Sequence, residues 1–358
     1  MTDIVHIISG LGTGGAETML VQMSVSLRAR GFYQHVIGLS THDRLAADLK
    51  ANDIDVTVLG ARSLASLPGV MTSLVRTVNR LQPRIIQGWM YHGNLAASFS
   101  HFMCRGKQDR ELFWNIRASN MDDTRYGQLL WLSGLLSRGV DLVVANSEAG
   151  AVFHRERGFR PKRMLVISNG INTEKFRPNA QARSQIRAEL GIPEGALATI
   201  HLARVDPMKD HGSFLAAMEK LPAVVGIMAG AGTEYLPARP NVHALGLRRD
   251  TGDLLAAADI VVSTSAFGEG FSNVIAEGMS SGLVPVATEV GDARHIVGDT
   301  GRVVAPGDPA AIVQAISEIA ELPADRRRQL GLAARDRILT NFTLARVTDA
   351  FADLYSKR

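Results

Sequence analysis

Cysteine is almost absent from this chain of 358 residues, which contains only Cys104. No internal disulfide can therefore form, and metal sites built from several cysteines are excluded. Long apolar runs are also missing, since no stretch reaches the roughly 18 apolar residues of a membrane-spanning helix. The N-terminus carries Asp3 and no basic flank, unlike a secretory signal. We therefore expect a cytoplasmic protein, with peripheral contact at the inner face of a membrane left open.

Charge is distributed unevenly along the chain. Residues 1–165 have a net charge of +6 and residues 166–358 a net charge of −2, which together give the +4 of the whole chain. A basic half is typical of a protein with an acidic partner. Arg76, Arg80 and Arg84 would form one stripe on a helix, and residues 155–163 form a second basic group. Both groups suit an anionic lipid surface or a solvated face, and the absence of a recognition motif disfavours nucleic acid.

Short apolar runs alternate with helical patterns over the whole length. Most runs are continuous Val, Ile and Leu, which is typical of strands buried on both faces of a parallel sheet. The pattern starts again after residues 170–195, so we predict an α/β fold of two doubly wound, Rossmann-like domains that face each other across a cleft. The predicted strands are Ile4–Ile8, His35–Leu39, Ile54–Leu59, Ile85–Trp89, Leu112–Ile116, Leu142–Ala145, Leu165–Ser168, Ala198–Ala203, Val224–Ala229, Val242–Leu245, Ile260–Ser263, Val284–Ala287 and Arg302–Val304.

The last helical pattern, Leu344–Tyr355, has apolar residues on one face. Leu344, Val347, Phe351 and Leu354 follow helical spacing, so this helix must dock on another part of the protein.

The first glycine-rich loop, GLGTGGAET at residues 10–18, follows the first predicted strand. Gly10, Gly12 and Gly15 have the spacing of a dinucleotide-binding loop. Such a loop also needs an acid at the end of the second strand to hold a ribose hydroxyl, but that strand ends at Ser40 without one. A phosphate-facing loop of another kind is therefore favoured over a nicotinamide site, and a simple turn is the alternative.

The most specific pattern is GEGFSNVIAEGM at residues 268–279, which contains Glu269 and Glu277. Ser272 or Asn273 can cap a helix that carries Glu277, and this places the positive end of a helix dipole beside Glu269. Eight residues of straight helix span about 12 Å, whereas a retaining glycosidase needs carboxyls about 5 Å apart. The pair is therefore a poor hydrolase dyad, and two surface glutamates are the alternative.

Two cations, Arg204 and Lys209, follow the predicted strand Ala198–Ala203. Ligands bind beyond the carboxyl ends of parallel strands. Cations at that edge suit phosphate oxygens and a departing anion, and a solvated loop is the alternative.

These motifs together resemble the family-4 glycosyltransferases, which are retaining enzymes of the two-domain GT-B architecture. Further matching segments are WMYHGN at 89–94, WNIR at 114–117, NSEAG at 146–150, NGIN at 169–172, AGAGTE at 229–234 and LGLRRD at 245–250. The resemblance covers essentially the whole chain. It implies an acceptor-side domain at 1–172, a nucleotide-sugar domain at 173–341, and a segment at 342–358 that crosses back to the first domain.

The resemblance also implies roles for individual residues. Arg204 and Lys209 would hold the donor phosphates, Glu277 the ribose, and Glu269 the transferred sugar. Other donor contacts would come from the backbone of Gly14, Gly15, Gly270, Phe271, Ser272, Asn273 and Val274, and from Leu247 and Arg248 near the base. His92 would lie beside the sugar and join Glu269, Arg204 and Lys209 as the catalytic set. Arg117 would contact the acceptor or form a surface ion pair, whereas Trp89 and Trp114 are expected in the core.

The implied reaction is retaining transfer of a sugar from a nucleotide-diphosphate sugar, with a UDP-sugar favoured. The acceptor would be a glycan or lipid-linked saccharide in cell-surface polysaccharide synthesis. No metal or other cofactor is expected, because Arg204, Lys209 and a helix terminus can neutralise the diphosphate. The alternatives are a nucleotide-sugar epimerase of the same architecture, a non-catalytic sugar-nucleotide-binding protein and, third, a nicotinamide dehydrogenase.

Overall fold

The chain folds into two compact units. The computed structural model describes residues 3–12, 14–104, 106, 109–119 and 123–356. One unit contains Met1–Gly170 and Leu344–Arg358, and the other contains Ile171–Thr343. Each unit has one sheet of parallel strands with helices on both faces. The predicted fold class of two doubly wound α/β domains is therefore confirmed.

The first unit is built on a seven-stranded sheet in the order β3-β2-β1-β4-β5-β6-β7. Its strands are β1 (Ile4–Ile8), β2 (Gln34–Ser40), β3 (Asp55–Ala61), β4 (Ile85–Trp89), β5 (Glu111–Ile116), β6 (Leu142–Ala145) and β7 (Arg163–Val166). Ile4 lies opposite Gln34 on one side and Ile85 on the other. The strand order reverses between β1 and β4, so their carboxyl ends flank the point where ligands bind in such sheets.

Among the described residues, seven α-helices belong to this unit. They are α1 (Gly15–Ala29), α2 (Ala46–Lys50), α3 (Leu67–Leu81), α4 (Met90–Met103), α5 (Asp123–Leu136), α6 (Glu148–Glu156) and α14 (Leu344–Ser356). The docking predicted for the last helix is confirmed, because Val347, Phe351 and Leu354 are buried with α1 on one face of the first sheet. Tyr355 completes this contact, and its hydroxyl donates a hydrogen bond to Gln87.

The second unit contains a six-stranded sheet in the order β10-β9-β8-β11-β12-β13. The strands are β8 (Ala198–Leu202), β9 (Val225–Ala229), β10 (Val242–Ala244), β11 (Ile260–Ser263), β12 (Val284–Thr288) and β13 (Arg302–Val304). The helices are α7 (Ala180–Leu190), α8 (His211–Glu219), α9 (Thr251–Ala257), α10 (Asn273–Ser280), α11 (Ala293–Val297), α12 (Pro309–Ala320) and α13 (Ala324–Asn341). Here the strand order reverses between β8 and β11.

Two local predictions are wrong. The strand expected at Leu165–Ser168 is Arg163–Val166, because its partner β6 ends at Ala145 opposite Val166. The stripe of Arg76, Arg80 and Arg84 does not form, because α3 ends before Arg84. Gln82 turns the chain with a left-handed φ of 45°, and Arg84 instead contacts Glu111 at 3.3 Å. No helix in the described ranges is long and apolar enough to cross a membrane.

Candidate active site

Lys209 and Glu269 meet where the strand order of the second sheet reverses. Lys209 ends the short turn after β8, and Glu269 lies in the loop between β11 and α10. The ammonium of Lys209 donates a hydrogen bond to Oε1 of Glu269, and the Ser265 hydroxyl donates to the same oxygen at 2.8 Å. The side chains of Lys209 and Glu269 are only 21% and 13% exposed. The fold thus places a cation and an anion side by side, from loops 60 residues apart.

A buried series of side-chain hydrogen bonds holds the turn that carries Lys209. Asp210 adopts a left-handed φ of 44°. The Thr264 hydroxyl lies 3.0 Å from the carbonyl oxygen of Lys209 and 2.9 Å from that of Asp210. Because the single hydroxyl proton goes to those carbonyls, His201 donates from Nε2 to Thr264 at 3.1 Å. Burial lowers the pKa of His201 to about 3, so the imidazole remains neutral.

Arg204 lies in the same loop but faces solvent. Its side chain is 60% exposed, and its guanidinium donates to Asp206 at 3.1 Å. Asp206 also accepts a hydrogen bond from the backbone N–H of Met208 at 3.0 Å. The two predicted phosphate cations therefore share one loop, and each is held by a carboxylate.

The loops after β8, β9 and β10 contact one another through their backbones. The N–H of Gly230 donates to the carbonyl of Gly246 at 2.8 Å, and the N–H of Val205 donates to that of Ala231 at 2.9 Å. Gly230 has a φ of +148°, and a Cβ there would lie 1.9 Å from the carbonyl oxygen of Ala203. Only glycine fits this position, so the AGAGTE segment shapes the edge of the site.

Leu247 and Arg248, predicted near the base, occupy different environments. Leu247 is 61% exposed. Arg248 donates to Asp250 at 2.8 Å and 2.5 Å and to Glu189 at 2.7 Å. These carboxylates raise the pKa of Arg248 above its ordinary value. Arg248 therefore fixes the loop, and Leu247 is the side chain presented to solvent.

The segment from Gly270 to Val274 forms the start of α10. The helix begins at Asn273 with Ser272 as its N-cap, as predicted, but the Ser272 side chain makes no capping hydrogen bond. The Gly270 carbonyl accepts from the N–H of Asp292 at 2.9 Å. Phe271 is only 4% exposed, and Val274 packs against the same hydrophobic core. Their side chains thus anchor the loop to the hydrophobic core of the second unit.

Glu277 lies one turn into α10 and is partly exposed. Burial raises the pKa of its carboxyl to about 7, and nearby Lys175 opposes this shift. No hydrogen bond or ion pair from the described residues engages the carboxylate. Its oxygens therefore keep their capacity to accept hydrogen bonds from a ligand.

In the first unit, Gly14 and Gly15 form the start of α1. Gly14 is the N-cap, and its carbonyl accepts from the N–H of Thr18 at 3.0 Å. A Cβ at Gly14 would lie 2.4 Å from an Oε atom of Glu17. The loop thus already has a carboxylate beside Gly14, which suits a sugar hydroxyl better than a diphosphate. Thr13 of this loop lies outside the described residues.

His92 lies in the first turn of α4, where the first sheet reverses its strand order. Met90 turns the chain out of β4 with a left-handed φ of 58°. A Cβ at Gly93 would lie 2.4 Å from the carbonyl oxygen of Ile7, so α4 begins close against β1. The His92 side chain is exposed and has no hydrogen-bond partner in the described ranges. A histidine with only a structural role would be buried with a hydrogen-bond partner, and this arrangement does not fit that role.

Arg117 follows β5 and points into the first unit. Its guanidinium lies 4.8 Å from the ring of Trp89, and it donates a hydrogen bond to the Asn169 side chain. Its Nε and one Nη are buried without a hydrogen-bond partner, and burial lowers the pKa of Arg117 to about 9. The alternative of a surface ion pair is wrong, since the described residues place no carboxylate on it. Trp89 and Trp114 are fully buried, as predicted.

The contacts of Ser265, Thr264, His201 and Asp206 gave no signal in the sequence. Thr264 and His201 act between segments 54 to 63 positions apart, which no local spacing encodes. Asp206 and Ser265 lie only two and four positions from the residues that they hold, Arg204 and Glu269. Among the described residues, no group of three or more His, Cys, Asp or Glu side chains could hold a metal ion.

Two family models match the two halves of the chain. Residues 13–175 match the model described as Glycosyltransferase Family 4, and residues 197–321 match Glycosyl transferases group 1. D-inositol 3-phosphate glycosyltransferase of Streptomyces scabiei is 30% identical over 226 residues, which are 55% of this chain and 50% of the relative. The chain thus spans about half the length of the curated relatives it matches.

Solved structures show the same fold over the whole chain. Anabaena HepE in complex with UDP-glucose has a TM-score of 0.87 and 23% identity, covering 99% of this chain and 100% of that one. WaaG, described as a glycosyltransferase involved in lipopolysaccharide biosynthesis, has a TM-score of 0.74 and 15% identity, covering 99% of this chain and 100% of its own. At these identities the likeness concerns the two-domain GT-B fold.

Proposed function

Because the chain belongs to the family-4 glycosyltransferases, we propose that it transfers a sugar from a nucleotide-diphosphate sugar to an acceptor hydroxyl. The observation that carries this proposal is the contact between Lys209 and Glu269 at the reversal point of the second sheet. A sugar diphosphate offers hydroxyls to a carboxylate and phosphate oxygens to an ammonium within a few ångströms of each other. The UDP-glucose complex of HepE supports a UDP-sugar as the donor.

The donor phosphates would lie against Lys209 and Arg204. Each cation is held by a carboxylate before the donor binds, Lys209 by Glu269 and Arg204 by Asp206. An ammonium has three protons and a guanidinium five, so both can keep these contacts while binding phosphate. The pairing fixes the cations in place and lowers the cost of ordering them on binding.

The rest of the donor would follow the loops around α10. Glu269 would accept hydrogen bonds from the transferred sugar, and Glu277 from both ribose hydroxyls. The backbone of residues 270–274 would face the sugar and phosphate, and Leu247 would pack against the base. The exposure of Leu247 and the unengaged carboxylate of Glu277 support these two assignments.

The chemistry would proceed with retention and without a covalent enzyme intermediate. The bond from the sugar C1 to the diphosphate oxygen breaks, and the acceptor oxygen attacks C1 on the same face. The acceptor proton passes to the departing phosphate oxygen. Lys209 and Arg204 stabilise the charge that develops on that phosphate, so this step needs no metal and no other cofactor.

The acceptor side would be the first unit. Arg117, the candidate acceptor contact, lies at the end of β5. Gly14, Gly15 and His92, which the resemblance assigns to the donor and its sugar, lie where the sheet of this unit reverses. We propose a glycan or lipid-linked saccharide as the acceptor, in cell-surface polysaccharide synthesis. The involvement of WaaG in lipopolysaccharide biosynthesis supports this class.

Slow hydrolysis of the donor, with water in place of the acceptor, tests the reaction without knowledge of the acceptor. UDP-, GDP- and ADP-sugars with an axial C1–oxygen bond are first screened by thermal shift, with NAD as a negative control. The sugar released from the best donor is then followed by proton NMR before it equilibrates. We expect the axial anomer first, which identifies retention.

Glu269→Gln keeps the size of the side chain and removes its charge. We expect about a 10²-fold loss of donor turnover, because a preorganised polar contact to the reacting sugar is removed. Glu321→Gln, an exposed position in the same unit, is the matched control and should leave turnover unchanged. A thermal shift with NAD alone, or equal activity of both variants, would overturn the proposal. Release of an epimerised sugar would identify an epimerase instead.

A further inference from the structure

Two adjoining helices of the first unit expose large apolar side chains. Globular proteins rarely leave such residues clustered on the surface without a partner. On α4 and α5 the exposed fractions range from 37% to 69%. We call this set the apolar patch, and its members are Phe99, Phe102, Met103, Trp131, Leu132 and Leu135.

The patch is continuous across the two helices. Phe99, Phe102 and Met103 are spaced three and four residues apart, so they share one face of α4. The turn Ser137–Gly139 follows α5 directly. A Cβ at Gly139 would lie 3.5 Å from the ring of Phe102. Phe102 therefore lies beside the end of α5, next to the exposed side chains of that helix.

Cations lie beside the apolar patch. The N–H of Arg160 donates to the Ser137 hydroxyl at 2.8 Å, which joins the segment after α6 to the end of α5. Arg138, Arg155 and Arg160 are exposed, and we call them the basic margin. Within the described ranges none of the three pairs with a carboxylate. Residues 138–163 contain six Lys and Arg and three Asp and Glu.

We propose that the apolar patch and its basic margin dock on the surface of an anionic lipid bilayer. Tryptophan, phenylalanine and leucine flanked by arginines are the composition of helices that lie in the lipid headgroup region. The apolar side chains would enter the acyl boundary, and the guanidiniums would bind anionic headgroups. A second copy of the chain fits less well, because face-to-face contact would bring the two basic margins together.

This inference adds a partner surface to the proposed function, and its test does not depend on sugar transfer. The site replaces the predicted stripe of Arg76, Arg80 and Arg84, which does not form. It retains the second basic group, residues 155–163, and adds the apolar side chains next to it.

Tryptophan fluorescence reports on this surface selectively. The chain has three tryptophans. Trp131 is 69% exposed, whereas Trp89 and Trp114 are fully buried. Vesicles that contain phosphatidylglycerol and brominated acyl chains should therefore quench Trp131. Vesicles of brominated phosphatidylcholine alone should quench it much less, and added salt should weaken the effect.

Three sets of variants separate the parts of the surface. Trp131→Phe should abolish quenching while the protein still sediments with the anionic vesicles. Phe102→Gln with Leu135→Gln should weaken sedimentation at least tenfold. Arg138→Gln with Arg155→Gln should weaken it about 25-fold, since each cation near an anionic surface contributes on the order of fivefold in affinity.

The controls are exposed residues of the second unit. Tyr235→Gln changes a side chain that is 86% exposed, and Arg328→Gln removes an exposed cation. Both should bind vesicles like the wild type, and circular dichroism with thermal melting verifies the fold of every variant. The proposal fails if the wild type does not bind anionic vesicles at low salt, if it binds without quenching, or if the patch variants bind equally well. A dimer that the patch variants abolish, without vesicle binding, would assign the surface to a second copy.

Discussion

Donor binding should become tighter as pH rises from 6 to 8, through the ionisation of Glu277. Burial raises the pKa of this carboxyl to about 7. The ionised fraction is then about one tenth at pH 6 and about nine tenths at pH 8. A carboxylate that accepts both ribose hydroxyls must be ionised, and affinity scales with the population of the competent form. The affinity for UDP should therefore rise about tenfold over this range.

Calorimetry of UDP binding at pH 6, 7 and 8 measures this effect. The phosphate of UDP also ionises in this range, so the readout is the ratio of the wild-type affinity to that of Glu277→Gln. The wild type should also release about half a proton on binding at pH 7, seen in buffers of different ionisation enthalpy. With 2′-deoxy-UDP the pH dependence should become weaker, because one of the two hydroxyls is missing.

The same group should affect stability without any nucleotide. A carboxyl whose folded pKa is raised contributes stability below its ordinary pKa and loses it as pH rises through about 7. Glu277→Gln should therefore raise the melting temperature at pH 8 and leave it nearly unchanged at pH 4. The gain is at most about 3 kcal/mol, an upper bound because the carboxyl is partly solvated. An unchanged affinity ratio from pH 6 to 8 would refute the ribose assignment, and an equal melting shift at pH 4 and 8 would refute the raised pKa.

Two further predictions concern residues that hold the loops of the candidate site in place. Thr264→Val removes the hydroxyl between His201 and the Lys209 turn, so we expect a loss of about 1–3 kcal/mol in urea unfolding and a fall in kcat. Thr264→Ser should restore both, and a purely structural role would move stability alone. Gly230→Ala places a Cβ against a carbonyl at a φ of +148°, so its melting temperature should fall by several degrees or more. Gly195→Ala, with open space around it, is its control, and equal melting of the two variants would contradict the packing argument.

The sequence predicted the fold closely because the signals for buried parallel strands are local. The apolar run Ile260–Val262, followed by Ser263, suffices to mark β11, and the predicted bounds agree with the structure. The errors occur where strand pairing or a change in chain direction determines where an element ends. Strand β7 ends where its neighbour ends, and Arg84 leaves the helical stripe because Gln82 turns left-handed.

The sequence motifs named candidate site residues but not the contacts between them. The motifs identified Lys209 and Glu269, yet their hydrogen bond spans 60 positions and follows only from the strand order. The burial of Arg117 against Trp89 also depends on which face of β5 it leaves. Local patterns do not contain this information.

The return of α14 to the first unit makes that unit discontinuous along the chain. Its helix completes the core with Phe351, Leu354 and Tyr355, which are synthesised after all of residues 171–343. On the ribosome, the second unit therefore has its full sequence before the first can close its core. Until α14 is synthesised, the preceding residues of the first unit leave one face of their sheet partly uncovered. Aggregation competes with folding at this stage. Residues 3–170 expressed alone would remain at that stage.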